Sequence, residues 1–406
     1  MSTYKTHWPS LLILVSFGFS SIFLFLLSAG LGIRSIVYLF NPGGDPAGQM
    51  IAAFAYGFEL LVIFLCAWFV LQRTMGHEQA SLSFKLPYAE WQIIAAIGII
   101  MLSVIIGAAA AFTEIAWLTW LLLPILTLLV IVPPIWLIFG IGTKGIELGQ
   151  RWHVFTILGL SLTIGPLIMI VLELIVLVGI LVTSGAFIAT QQPALFKELI
   201  SIGRILEQET NPDLILNRIA PYLKNPLVVG TAIGYIAVIV PLIEELFKPL
   251  AVWIFAGKLT SPALGFAMGM LSGGAFALIE SLNASGDGST SWAVIVSIRA
   301  GTSLLHMTTS GLVGWGIASA FHERHISRFF AAYFTSVGIH GIWNACAAGV
   351  SISSVGESIG KPEWLLNFAP AFLCGMVVLG IGMFAVLIAS NRKLQSTLHT
   401  KPIQVT

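Results

Sequence analysis

Apolar runs of membrane-spanning length alternate with short polar segments along almost the whole chain. A crossing helix needs roughly 20 apolar residues. Ten runs meet that length: 11–33, 49–71, 91–113, 115–141, 154–184, 227–257, 262–283, 291–320, 329–350 and 365–390. The expected fold is therefore an all-α polytopic transmembrane helix bundle of about ten spans. The fourth and fifth runs hold Pro124, Pro133, Pro134 and Pro166. Proline within a helix removes a backbone donor and kinks it, so these two runs are expected to bend or to hide a re-entrant piece. The first run is too long for a signal-peptide core, and its small residues Ser28, Ala29 and Gly30 fall inside it. It reads as an uncleaved span.

The long polar interval is 184–226. After Pro193, residues Leu195, Phe196, Leu199, Ile202 and Leu206 recur at helical spacing, with Lys197, Glu198, Arg204 and Glu207 between them. That is an amphipathic helix. A second follows Pro212, with Leu214, Leu216, Ile219 and Leu223. Two readings stay open: helices lying on the bilayer surface, or a lid over the adjoining span. The expected organisation is N-terminal transmembrane helices (1–184), an extracytoplasmic amphipathic loop (185–226), a catalytic four-helix transmembrane core (227–350), and a C-terminal helix and tail (351–406). Loops placed inside carry the larger share of Lys and Arg, among them Arg73, Lys85, Lys144, Arg151, Arg324 and Arg328. The positive-inside rule then puts both termini in the cytoplasm.

Composition agrees with the pattern. Hydrophobic residues make up 57% of the chain, charged residues 9%, and the mean hydropathy is +0.95. A net charge of +1 carries no nucleic-acid signal. Cys66, Cys346 and Cys374 all sit in apolar runs, with neither metal-ligand spacing nor a disulfide framework.

Against this background the charges inside the runs stand out. The sixth run contains Glu244, Glu245 and Lys248 within one turn. One charge at the centre of a spanning helix costs roughly 2.5–3.5 kcal/mol, so these three must face protein, water, an ion or one another. The seventh run carries Phe276 and Glu280, the eighth Arg299 and His306, the ninth His340 and Asn344. Arg299 and His306 lie two turns apart on one face, and His340 and Asn344 one turn apart. Four consecutive spans that each bring polar groups into apolar surroundings read as one buried cluster. Gly265, Gly269, Gly273 and Ala277 form a small-residue ridge, which is expected to serve close helix packing rather than chemistry.

The chemistry open to such a cluster is limited. Adjacent glutamates point about 100° apart around a helix, so both need not face one cavity. Glu244 and Lys248 have the i,i+4 order that favours an ion pair. Two neutral histidines and a carboxylate can hold zinc with a position left for water. A glutamate can instead deprotonate water directly, with His or Asn stabilising the oxyanion. No serine or cysteine sits where a nucleophile would be recognised. A proton-coupled transporter using the same buried charges and a non-catalytic scaffold remain alternatives.

Three features are expected to be inert. The His322-Glu323-Arg324-His325 stretch is one residue short of HExxH and lies in a basic loop. Asn283 and Ser285 form a weak glycosylation sequon facing outside. Glu59 and Glu173 are lone buried acids, each expected to make a structural hydrogen bond.

The set Glu244-Glu245-x-x-Lys248, Phe276-x-x-x-Glu280, His306 and His340-x-x-x-Asn344 resembles the motif series of the PrsW-type intramembrane proteases, a superfamily shared with CAAX prenyl endopeptidases and bacteriocin-immunity proteins. The resemblance covers 227–350, under a third of the chain. It implies a peptidase that cuts membrane-associated protein substrates in or near the bilayer of a prokaryotic plasma membrane. It also implies roles. Glu244 and Glu245 would activate water. His306 and His340 would be ligands or transition-state stabilisers, Asn344 an oxyanion donor and Glu280 a supporting acid. Lys248, Arg299 and Phe276 would support them. If zinc takes part, His306, His340 and Glu280 are its expected ligands.

Overall fold

The computed structural model describes residues 8–41, 44–209, 212–223, 226–285, 288–358 and 367–399. These are helical, with one isolated bridge between Ser83 and Gln150. The helices are α1 (Trp8–Phe40), α2 (Pro46–Thr74), α3 (Trp91–Phe112), α4 (Ala116–Gly142), α5 (Arg151–Leu162), α6 (Ile164–Gln191), α7 (Pro193–Gln208), α8 (Pro212–Leu223), α9 (Pro226–Gly234), α10 (Val240–Phe247), α11 (Leu250–Ile254), α12 (Pro262–Asn283), α13 (Trp292–His322), α14 (Ile326–Ser358) and α15 (Ala369–His399). Eight segments among the described residues are long and apolar enough to cross a membrane. The segments α13 and α14, which carry Arg299, His306, His340 and Asn344, are outside that set because polar residues dilute their hydropathy. The chain is an integral membrane protein with an all-α polytopic architecture.

Proline placement explains the breaks. The fourth run stays one helix, α4, in spite of its three prolines. The fifth divides at Thr163 into α5 and α6. Pro166 has no N–H to offer the Leu162 carbonyl, and its ring crowds that oxygen. Thr163 Oγ1 turns back to the Gly159 carbonyl at 2.8 Å.

The contacts divide the chain into two compact units. The first comprises 1–166, 245–336 and 382–406, and α12 is its centre. The most apolar stretch of α12 is 78% buried, against 39% or less for the other candidate spans. It packs on α13, α4, α5 and α2. Its ridge is the reason: a Cβ at Gly269 or Gly273 would run into the backbone carbonyl of Ser310 or His306 on α13. The second unit comprises 167–244 and 337–381. In it, Leu195, Phe196, Leu199, Ile202 and Leu206 are the half-buried positions of α7, and the residues between them are exposed. The amphipathic face read from the sequence is the face that packs. Tyr222 of α8 donates to Glu198 of α7 at 2.7 Å. Leu216 and Leu223 lie outside the residues whose side chains are described.

Candidate active site

The segment holding the two glutamates is irregular at both ends. Before it, Tyr235–Ile239 forms a π turn, in which the Val240 N–H reaches the Tyr235 carbonyl. Pro241 supplies the cause, because it has no N–H for the Ala237 carbonyl. Single π turns inside helices recur at functional sites. The α14 backbone closes on this turn: Gly341 lies against the Ala237 carbonyl, where a Cβ would collide, and Asn344 Nδ2 donates to the Ile236 carbonyl at 3.0 Å. One turn before Asn344, His340 is buried, as is Glu244. Glu244 Oε2 lies 3.7 Å from His340 Nε2.

After the glutamates, Pro249 stops α10. The carbonyls freed by the break are taken up. Ser272 Oγ donates to Lys248 O at 2.6 Å and meets Ser161 Oγ at 2.6 Å, while Trp253 Nε1 donates to Leu246 O at 3.0 Å. This anchoring fixes Lys248, whose side chain is fully buried together with that of Glu245.

Lys248 organises the first unit's polar groups. Its ammonium donates to Glu245 Oε1 at 3.0 Å, meets His306 Nδ1 at 2.9 Å and lies 4.6 Å from the centre of the Phe276 ring. Lys248 and Glu245 thus form an ion pair at i,i+3. The Phe276 ring also meets the His306 ring edge-on at 5.0 Å. An ammonium has only donors, so Nδ1 of His306 must accept. The ring proton then sits on Nε2, which donates to Glu280 Oε2 at 2.6 Å. Glu280 Oε1 accepts from Arg299 at 3.2 Å. The Glu280 and Arg299 side chains are 33% and 24% exposed, so the chain of contacts runs from a dry end at Glu245 to a wetter end at Arg299.

Adjacent on α10, Glu244 and Glu245 therefore serve different partners: Glu244 faces His340, and Glu245 faces Lys248. The boundary between the two units falls between these consecutive residues.

The remaining acids and the expected decoys behave as hydrogen-bonding or surface groups. Glu59 accepts from Asn283 Nδ2 at 2.9 Å, and the same amide donates to Ile279 O. With both N–H bonds engaged, Asn283 has a packing role that the sequon did not suggest. The Glu173 carbonyl accepts from Tyr235 at 3.0 Å. His322, Glu323, Arg324 and His325 are exposed, and Glu323 pairs with Arg328. Ser161, Ser272 and Gly341 were absent from the residues singled out by sequence. Gly341, inside the HxxxN motif, carried a readable signal; the two serines carried none.

Residues 171–374, half of the chain, match the family model described as PrsW family intramembrane metalloprotease. The chain belongs to this family. The match reaches beyond the motif-bearing 227–350 to include the amphipathic α7 and α8 and most of α6. No curated protein and no solved structure matches the chain.

For a PrsW-family metalloprotease the donor atoms can be tested against a divalent cation. Zinc binds carboxylate oxygen and imidazole nitrogen at about 2.0–2.2 Å. Two donors sharing one ion then stand roughly 3–4 Å apart, and the 3.7 Å between Glu244 Oε2 and His340 Nε2 fits. His306 shows the usual posture of a ligating imidazole, with one ring N–H on a carboxylate and the other nitrogen presenting its lone pair. That lone pair accepts from the Lys248 ammonium, so both ring nitrogens of His306 are engaged within the polar network. Glu280 was among the expected ligands. Its oxygens are engaged by His306 and Arg299.

Proposed function

We propose that this protein is an intramembrane endopeptidase that hydrolyses peptide bonds of membrane-anchored proteins with water activated by Glu244. The supporting observation is the buried Glu244–His340 pair, a carboxylate and an imidazole 3.7 Å apart inside apolar helices.

In the proposed reaction Glu244 takes a proton from water as the oxygen attacks the scissile carbonyl. The tetrahedral oxyanion is stabilised by His340 and by the second N–H of Asn344, whose first is committed to Ile236. Glu244 then passes the proton to the leaving amine, and the C–N bond breaks. The ring of His306 is held in one tautomer by Lys248 and Glu280, so that its Nδ1 keeps a lone pair. Glu244 and His340 are residues that would hold zinc, which when bound supplies Lewis acidity and lowers the pKa of a bound water to about 7. Glu245 neutralises Lys248 in the dry end of the network.

The test uses the full chain co-reconstituted with single-span membrane proteins, with new termini mapped by mass spectrometry. Glu244→Gln and His340→Ala should each abolish cleavage while the protein still elutes as a folded species. Cleavage persisting in both would overturn the assignment. Flux driven by a pH gradient, without cleavage, would favour the transporter alternative.

A further inference from the structure

A second site lies in the first unit, at the end of α2 and the start of α5. There a cavity of about 410 Å³ is walled by Phe69, Phe84, Phe155 and Leu82, with Lys85 and Arg151 at its edge. The phenyl wall is preformed: Phe69 and Phe155 stack at 4.3 Å between centroids, and Phe84 meets Phe155 edge-on at 5.6 Å. The backbone under the cations is preformed too. Phe84 N donates to Gly149 O at 2.7 Å, and Arg151 N donates to Leu82 O at 2.9 Å.

The electrostatics of this cavity are unbalanced. Lys85 and Arg151 make no ion pair among the described residues, and no carboxylate lines the cavity. Arg151 is also the first residue of α5, a helix of 12 residues with no acid in its first turn and no side-chain cap. A cation at that end adds to the positive end of the helix dipole. Two cations and a helix N-terminus therefore converge on a space bounded by phenyl rings. Among the described residues this face is uncovered: the neighbouring Trp68 is 56% exposed and Leu82 50%. It lies where the apolar length of α2 ends, with Arg73 in the last turn of that helix stacked over Trp152 at 5.4 Å.

We infer that this cavity binds an anionic phospholipid, its phosphate between the Lys85 and Arg151 side chains, and an acyl chain along Phe69, Phe155 and Leu82. Charge complementarity selects the headgroup, and the apolar wall on the span's surface selects a lipid over a soluble anion. Basic sites of this kind between spanning helices suit headgroups of the negatively charged leaflet.

The test is native mass spectrometry of the full-length protein in detergent, titrated with phosphatidylglycerol, with phosphatidylcholine of the same chains, or with inorganic phosphate. Phosphatidylglycerol should bind most tightly and raise the melting temperature, with little response to the other two. Lys85→Gln and Arg151→Gln should each weaken phosphatidylglycerol about fivefold, and the double variant about thirtyfold, at the ordinary contribution of one basic residue to membrane-surface attraction. The exposed Arg392→Gln/Lys393→Gln pair, elsewhere on the unit, should leave that affinity unchanged. If the double variant fails to fold, the single variants decide. Unaltered affinity in both single variants, equal binding of phosphatidylcholine, or equal stabilisation by inorganic phosphate would overturn the inference.

Discussion

The Lys248–Glu245 pair offers the sharpest test of how the polar network is held. Both side chains are fully buried, and the ammonium and carboxylate are 3.0 Å apart. Replacing Lys248 by Met removes the cation and strands the Glu245 carboxylate in the dry interior. Replacing Glu245 by Gln takes the carboxylate partner from the ammonium. Breaking a buried pair from one side costs about 3–5 kcal/mol, or roughly 100- to 4,000-fold in the folded-to-unfolded ratio at about 1.4 kcal/mol per decade. Removing both charges strands neither, so Lys248→Met/Glu245→Gln should fall within about 1 kcal/mol of the parent, and the cycle should show a coupling of at least about 3 kcal/mol. The assay is unfolding in mixed micelles followed by fluorescence of the 12 tryptophans. Cleavage should not recover with stability, since His306 Nδ1 lacks its ammonium in the double variant. Single variants within about 1 kcal/mol of the parent, or a double variant no more stable than the singles, would show that the pair is not holding this part of the fold.

Four further outcomes follow from the geometry. Gly273→Ala pushes a Cβ into the His306 carbonyl; it should cost about 1–3 kcal/mol by overpacking and depress cleavage, whereas Gly301→Ala, with open space around it, should be neutral or stabilising by thermal melting. Glu280→Gln should lower kcat about 10- to 100-fold with the fold intact, the usual scale of loss when a carboxylate that orients a histidine is altered; unchanged kcat would remove Glu280 from the mechanism. Asn283→Leu deprives the buried Glu59 carboxylate of its amide donor and should cost about 1–3 kcal/mol, partly restored by Glu59→Leu in the same chain. His322→Ala/His325→Ala should leave proteolysis unchanged, and a loss of activity there would revive the HExxH-like stretch as a site.

Hydrophobic periodicity carried most of the architecture because a bilayer imposes its thickness on every crossing segment. The predicted run of 262–283 coincides with α12, and 91–113 with α3 to within one residue. The amphipathic face of α7 was legible for the same reason, since five apolar positions at helical spacing have one side to bury. The break at Thr163 was foreshadowed by Pro166, because a missing N–H is a local fact of the residue; Pro241 disturbs the helix before Glu244 in the same way but was not singled out.

The sequence by itself determined that acids, imidazoles and a lysine lie within apolar helices, where none can remain without partners. Partner choice was decided by tertiary structure alone. Two carboxylates adjacent in the chain diverge by the rotation of one helical residue, and the π turn and the Pro249 break set which way each points. Hence Glu244 meets His340, while Lys248 meets Glu245 and His306. The serines that hold the break, Ser161 and Ser272, are 111 residues apart; no local pattern encodes a contact that exists only because α5 packs against α12.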